Sequence, residues 1–174
     1  MSLPLRLAGV AGFVLLMALC ARIAVPMVPA PMTLQTFAVL LAGAVLGSGW
    51  GAASVLLYLA LGALGLPVLA EGGSGLDRFT GPTAGYLLAF PLAALIAGAG
   101  CRRPFQSPSA EVALMIGAHL VILGLGAAWL ATRIGPLAAV EGGVTPFLIG
   151  AVIKSGAVVL FASVLRRLRP FRRA

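Results

Sequence analysis

The chain has 174 residues, of which 61% are hydrophobic and 9% are charged. A soluble domain carries about 25% charged residues, so this composition excludes a water-soluble enzyme domain, a disordered tail and a disulfide scaffold. An apolar chain with so little charge indicates a protein that lies mostly in lipid. The formal net charge is +8, but the basic residues are grouped at the ends of apolar segments, as in cytoplasmic membrane loops, so we expect no nucleic-acid partner.

The uncharged stretches between ionisable residues predict six membrane-spanning helices, because a helix needs about 20 apolar residues to cross a bilayer. The glycines within residues 47–51 predict the turn between the second and third helices. We therefore expect one all-α integral membrane domain over residues 1–174. The predicted helices cover residues 7–25, 33–47, 51–66, 81–100, 109–132 and 145–167.

The distribution of basic residues predicts that both termini are cytoplasmic. Six helices put both termini on one side, and that side would carry most of the arginines, which follows the positive-inside rule. The arginines of the inner side are Arg6, Arg102, Arg103, Arg166, Arg167, Arg169, Arg172 and Arg173. Those of the outer side are Arg22, Arg78 and Arg133.

The predicted second, fourth and sixth helices start on the outer side, and each start has threonine near proline. Threonine suits the N-cap and proline the first turn, so Thr33, Thr80 and Thr145 are candidate cap residues. If the three positive helix ends converged, they would favour an anion. Any helical bundle has such starts as well, and this simpler interpretation is favoured.

Nucleotide motifs are present only in degraded form. Gly47, Gly49 and Ala52 match a dinucleotide-binding pattern, but they lie between apolar stretches that are too long for buried strands. Lys154 lacks the glycine that precedes a P-loop lysine. We expect no cofactor and no metal, and we expect Gly43, Gly47 and Gly51 to allow close helix packing.

The ionisable residues inside the predicted helices are candidates for function, because a charge is costly in a membrane. Lys154 lies near the middle of the last helix, which favours a residue that lines a cavity or binds a ligand. His119 in the fifth helix suits a proton relay with Glu111 or a packing role, and the packing role is favoured. The four acidic residues are scattered at positions 71, 77, 111 and 141, so we do not expect an enzyme.

The loop over residues 66–81 combines glycines with Glu71, Asp77 and Arg78. Such a loop suits a mobile lid over an outer site or a solvated connector. Arg78 has the geometry to bind a carboxylate with two hydrogen bonds.

Three segments carry a family resemblance: residues 28–37, with Thr-Leu-Gln-Thr-Phe, residues 62–68, and residues 81–86, with Gly-Pro-Thr-Ala-Gly-Tyr. In these segments the chain resembles the BioY family, the biotin-binding substrate-specificity (S) components of energy-coupling-factor (ECF) transporters. The resemblance implies a six-helix multi-pass protein of a bacterial cytoplasmic membrane that captures biotin from outside. It also implies a transmembrane coupling subunit and ATP-hydrolysing subunits as partners, with homo-oligomers in some members.

The resemblance implies a set of substrate-binding residues, namely Gln35, Arg78, Thr83, Tyr86 and Lys154. Arg78 or Lys154 would meet the biotin carboxylate, and the other three would supply hydrogen bonds. It further implies contact with the coupling subunit through small residues of the first helix, for which the candidates are Ala8 with Gly12 and Cys20 with Ala24.

The sequence departs from the family pattern in the last helix. That pattern is Gly-Asp-x-x-Lys, whereas Gly150 is here followed by Ala151. Lys154 therefore lacks the acidic neighbour that the pattern would give it. A self-contained proton-coupled carrier of biotin or a related small carboxylate, using His119 or Lys154, remains the alternative function.

Overall fold

The structure, a computed structural model, describes residues 3–101 and 107–168. The fold of these residues is all-helical apart from one short antiparallel ribbon. The helices are α1 (Leu3–Cys20), α2 (Gln35–Leu46), α3 (Ser48–Ala63), α4 (Ala84–Cys101), α5 (Pro108–Ile134), α6 (Pro136–Gly143) and α7 (Leu148–Leu168). The ribbon pairs β1 (Ala24–Val25) with β2 (Met32–Thr33). Short 3₁₀ turns lie at Ala70–Gly72, Leu76–Phe79 and Thr145–Phe147.

The central element of the bundle is α2, which packs against α1, α3, α4 and α7. Nine of its 12 residues are buried. It is apolar on all sides, as expected of a helix surrounded by other helices. The outer helices instead turn large apolar side chains outward, for example Leu15, Leu88 and Ile149, which are 61%, 56% and 74% exposed. Such a surface suits contact with lipid.

Three stretches are long and apolar enough to cross a membrane, judged by length and composition: Leu3–Cys20, Pro108–Ile134 and Pro136–Arg166. The apolar helices Gln35–Leu46, Ser48–Ala63 and Ala84–Gly100 are shorter. The 12 residues of α2 span about 18 Å at about 1.5 Å per residue, less than the roughly 30 Å of a bilayer core. By itself, α2 is therefore too short to cross the core of a bilayer.

Glycines bring α2, α3 and α4 into backbone contact, as predicted for Gly43 and Gly51. A Cβ atom on Gly43 would lie 2.3 Å from the carbonyl oxygen of Ala94, and one on Gly51 would lie 2.6 Å from Cα of Gly43. Gly98 lies equally close to Ser48. Gly47 has another role, because its φ of 84° forms the turn between α2 and α3.

Several predicted helix ends are wrong. The first helix ends at Cys20 and not at residue 25, because the chain turns there into β1. The second starts at Gln35 and the fourth at Ala84, since the residues before them form β2 and the loop after Phe79. The short helix α6 was not predicted. Gly135, with φ of 86°, separates it from α5.

The predicted cap threonines make other hydrogen bonds. Thr80 donates to the carbonyl of Asp77, and Thr145 donates to that of Val140. The residue before α2 is Leu34, whose side chain makes no cap bond. The N-cap prediction for Thr33 is therefore wrong.

Two ends of the bundle carry arginines in different surroundings. At one end, Arg6 lies over the ring of Trp50, and Arg166 pairs with Glu111. At the other end, Arg133 lies over Trp129 and donates to Thr80. Five predicted inner-side residues, Arg102, Arg103, Arg169, Arg172 and Arg173, lie outside the described residues, and the described part of Arg167 is its backbone.

Candidate ligand-binding cavity

A cavity lies at the end of the bundle where α2, α4 and α7 begin. Counted with its opening, it encloses about 800 Å³. Its lining residues come from α2, α4, α5, α7 and the loops before α2 and α4. The starts of α2, α4 and α7 therefore lie around one cavity, although the sequence alone favoured no special role for them.

The wall of the cavity is mostly apolar, with polar groups at a few points. The apolar side chains include Leu69, Leu87, Phe90, Ile122, Leu123 and Phe147. All five predicted substrate-binding residues, Gln35, Arg78, Thr83, Tyr86 and Lys154, also line this cavity. An apolar wall with few convergent polar groups is the usual form of a small-molecule site.

Lys154 reaches from α7 to the chain entering α2. Its Nζ atom donates a 3.1 Å hydrogen bond to the carbonyl oxygen of Thr33. The Ala151 methyl group is buried and also lines the cavity, at the position where the family pattern has aspartate. Among the described residues no carboxylate lines the cavity, so the described partner of the Lys154 amino group is a neutral carbonyl.

Arg78 extends into the cavity wall from the 3₁₀ turn Leu76–Phe79. Its guanidinium group packs over Gly73, where an added Cβ atom would lie 2.6 Å from Cζ. Gly73 thus provides the space that Arg78 occupies. Arg78 and Lys154 make this cavity electrically positive, which suits an anionic ligand group.

Two further polar lining residues lie at the start of α4. Thr83 precedes the helix, and Tyr86 lies in its first turn. The hydroxyl of Tyr86 donates to the carbonyl oxygen of Gly143 at 2.8 Å. Its proton is thus already used, so Tyr86 can serve a ligand as an acceptor or with its ring.

The loop over residues 66–81 is held at several points. Arg22 donates to the carbonyl of Pro67, and Gly75 donates to that of Gly62. Tyr58 donates to Val68. The loop contributes Leu69, Ala70 and Arg78 to the cavity, so it forms part of the wall. Whether it moves as a lid stays a prediction.

His119 lies in the cavity wall and joins three helices. Its Nδ1 atom lies 3.2 Å from the carbonyl oxygen of Met115 and 3.0 Å from Oγ of Ser155. Its Nε2 atom lies 3.2 Å from Oγ1 of Thr36. These contacts link α5 to α7 and α2, which supports the packing role. Glu111 pairs instead with Arg166.

Sequence reasoning missed Thr36 and Tyr58. Thr36 lines the cavity beside Gln35. Tyr58 is fully buried in α3 and bonds to Gln35. A tyrosine inside an apolar helix was the available signal, because a buried tyrosine hydroxyl needs a hydrogen-bond partner.

The candidate partner-binding residues of α1 fall into two groups. Ala8 and Gly12 are exposed, and a Cβ atom on Gly12 would meet nothing within 4 Å. Cys20, in contrast, is buried, and Ala24 lies in β1 beyond the end of the helix. The prediction that Cys20 and Ala24 form an exposed helical pair is therefore wrong.

Comparison with known proteins identifies the family. Residues 3–171 match the family model described as BioY family. The chain belongs to the BioY family. A probable biotin transporter BioY from Pyrococcus horikoshii is 41% identical over 90% of this chain and 93% of the relative. A biotin transporter BioY from Rhodobacter capsulatus is 38% identical over 84% of this chain and 86% of the relative.

A solved structure also resembles this BioY chain. It is the crystal structure of the S-component for biotin from an ECF-type ABC transporter. The two chains have a TM-score of 0.87 and 26% sequence identity, and the match covers 96% of this chain and 95% of the other. The fold of this BioY chain is therefore that of an ECF S-component.

Proposed function

We propose that this chain takes up biotin as the substrate-binding subunit of an ECF-type transporter and holds biotin in the cavity between α2, α4, α5 and α7. The observation that carries the proposal is the convergence of Gln35, Arg78 and Lys154 with apolar side chains around one cavity. It is supported by the relatives, which are named biotin transporters. The chain is a transport component and not an enzyme.

The chemistry of the cavity matches the parts of biotin. The apolar wall suits the bicyclic ring body, and the positive charges suit the carboxylate. The amide of Gln35 and the hydroxyl of Thr83 suit the ureido group. We assign the carboxylate to Lys154 or Arg78.

Binding measurements with a matched pair of ligands test this assignment. In the purified protein, Lys154→Met or Arg78→Gln should weaken biotin binding about 10- to 100-fold, the cost of one hydrogen bond to a charged group. The residue that meets the carboxylate is the one whose substitution leaves the affinity for neutral biotinamide nearly unchanged. Isothermal titration calorimetry gives both affinities.

Arg133→Gln is the control, because it removes a positive charge at the same end of the molecule from a residue outside the cavity. Its biotin affinity should stay within about twofold of wild type, as expected for a screened surface charge. A folded wild-type protein that does not bind biotin would refute the proposed function.

The proposed membrane arrangement puts the cavity outside and both termini in the cytoplasm of a bacterial cell, with the chain in the cytoplasmic membrane. It is supported by the positions of Arg6 and Arg166 at the end opposite the cavity. Basic residues concentrate on the cytoplasmic side of membrane proteins.

We further propose that Ala8 and Gly12 form the contact with a transmembrane coupling subunit. Small exposed residues four positions apart allow another helix to approach closely. Ala8→Trp should therefore keep biotin binding but abolish ATP-dependent biotin uptake in liposomes that contain the complete transporter. Gly117→Trp is the matched control, because Gly117 also has open space beside it but lies on α5.

The same liposomes separate this mode from the carrier alternative. Uptake by the chain alone that stops when a proton ionophore is added would favour a self-contained proton-coupled carrier. ATP-dependent uptake that requires the other subunits would exclude that alternative as the main route.

A further inference from the structure

Tyr58 lies between the cavity and the loop over residues 66–81. Its side chain is fully buried in α3. The hydroxyl oxygen is 2.8 Å from the carbonyl oxygen of Val68 and 2.6 Å from Nε2 of Gln35. One hydroxyl thus joins the loop to a residue of the cavity wall.

The direction of these two hydrogen bonds follows from the chemistry of the groups. A tyrosine hydroxyl has one proton, and a backbone carbonyl can only accept. The hydroxyl hydrogen of Tyr58 therefore points to the carbonyl oxygen of Val68, and the hydroxyl oxygen accepts a hydrogen bond from Gln35. The amide nitrogen of Gln35 can supply it, whereas the amide oxygen cannot. Tyr58 thereby determines which way the amide of Gln35 faces.

The opposite side of this amide is its oxygen, Oε1. Gln35 lines the cavity, and the hydroxyl of Thr33, another lining residue, lies 3.5 Å from Oε1. This is the long limit of a hydrogen bond, and an amide oxygen has two lone pairs. Oε1 can therefore accept a further hydrogen bond from a ligand.

We propose that Tyr58 is a positioning residue that holds Gln35 with its amide oxygen toward the cavity, so that the site selects ligands with an N–H donor at this point. The inference rests on the proposed function, in which the ureido group of biotin supplies that donor. A ligand with an oxygen atom in place of the N–H would face Oε1 with a second acceptor. Sites built to hydrogen-bond one group reject close analogues that lack it.

The test compares biotin with its two cyclic carbamate analogues, in each of which one ureido N–H is replaced by oxygen. Wild-type protein should bind one analogue at least about 100-fold more weakly than biotin, since that analogue lacks the donor and brings two acceptors together. In Tyr58→Phe the amide of Gln35 is free to rotate and present its nitrogen. The ratio of the affinity for biotin to the affinity for that analogue should then be about tenfold or more smaller than in the wild-type protein.

Ser54→Ala is the matched comparison, because it also removes a buried α3 hydroxyl that donates to a backbone carbonyl, from a residue that does not line the cavity. This variant should keep the wild-type affinity ratio even if both affinities fall. An unchanged ratio in Tyr58→Phe would overturn the inference and leave Tyr58 a purely structural residue. Wild-type protein that binds neither biotin nor the analogues would refute the proposed function as well.

If Tyr58→Phe does not fold, a second variant tests whether Gln35 selects ligands with an N–H donor. Gln35→Leu removes the amide and keeps a side chain of similar size, so the preference for the N–H ligand should disappear. A preference that survives in Gln35→Leu would show that Gln35 does not select the donor, and the inference would fall with it.

Discussion

At the scale of single residues, the charge of the cavity depends on Lys154 and on the absence of a carboxylate at Ala151. Lys154 donates a hydrogen bond to a backbone carbonyl, and Ala151, one helical turn earlier in α7, carries a methyl group. No carboxylate of the described residues that line the cavity therefore competes with a ligand for the Lys154 amino group. A carboxylate at position 151 would offset that charge.

We expect Ala151→Asp to reduce the preference for biotin over neutral biotinamide about 30-fold. The reason is repulsion between the new carboxylate and that of biotin, worth roughly 2 kcal/mol at about 8 Å and an effective dielectric constant of about 20. Titration calorimetry with both ligands measures the preference. Ala151→Asn has nearly the same shape without the charge and should leave the preference unchanged. Equal losses in the two variants would indicate a steric effect.

Residues differ in how well the sequence predicts them. The functional role of Lys154 was predictable because a charged side chain within an apolar helix is energetically costly and usually lines a cavity or binds a ligand. Tyr58 and Thr36 were not, because their importance depends on partners that are distant in the chain. The orientation of Gln35 needed three side-chain and backbone positions at once, which no sequence pattern supplies.

At the scale of helices, the close contact of α2, α3 and α4 depends on glycine. Gly43→Ala should lower the free energy of unfolding by about 1–3 kcal/mol, because the added methyl group meets the backbone at Ala94 and cannot be accommodated by a side-chain rotation. Thermal unfolding in detergent, followed by fluorescence-detected gel filtration, measures the loss.

Gly124→Ala is the control for this substitution. Gly124 lies in α5, and an added Cβ atom would meet nothing within 4 Å. Alanine is the better helix former by about 1 kcal/mol, so this variant should be as stable as wild type or slightly more stable. A Gly43→Ala protein as stable as Gly124→Ala would contradict the close packing of α2 and α4.

Helix number and helix ends were predictable to different degrees. The uncharged apolar stretches between ionisable residues predicted α1 to α5 and α7, because these stretches are long enough to form helices that lie in a membrane. The predicted helix ends were less accurate, because apolar residues continue beyond the helices into β1, β2 and the loop before α4, so the apolar pattern does not mark where a helix ends. The helix α6 escaped prediction because the uncharged stretch between Arg133 and Glu141 is too short to be counted as a membrane span.

At the scale of the whole molecule, the proposed topology predicts which side of the membrane each loop faces. In a variant with both native cysteines replaced by alanine, Ser74→Cys should react with a membrane-impermeant maleimide on intact cells. Ser109→Cys, at the opposite end of the bundle, should react only after the cells are opened. Both serines are at least partly accessible. Labelling of Ser109→Cys on intact cells would invert the topology.

The glycine contacts and the cavity lie in different parts of the same helix. Gln35 and Gly43 are both in α2, eight residues and therefore about 12 Å apart along the helix axis. Effects of substitutions at such a separation usually add within about 0.5 kcal/mol. A lineage of these proteins can therefore change ligand preference at one end of α2 while the other end keeps the chain folded, and a laboratory evolution experiment can optimise the two properties in separate libraries.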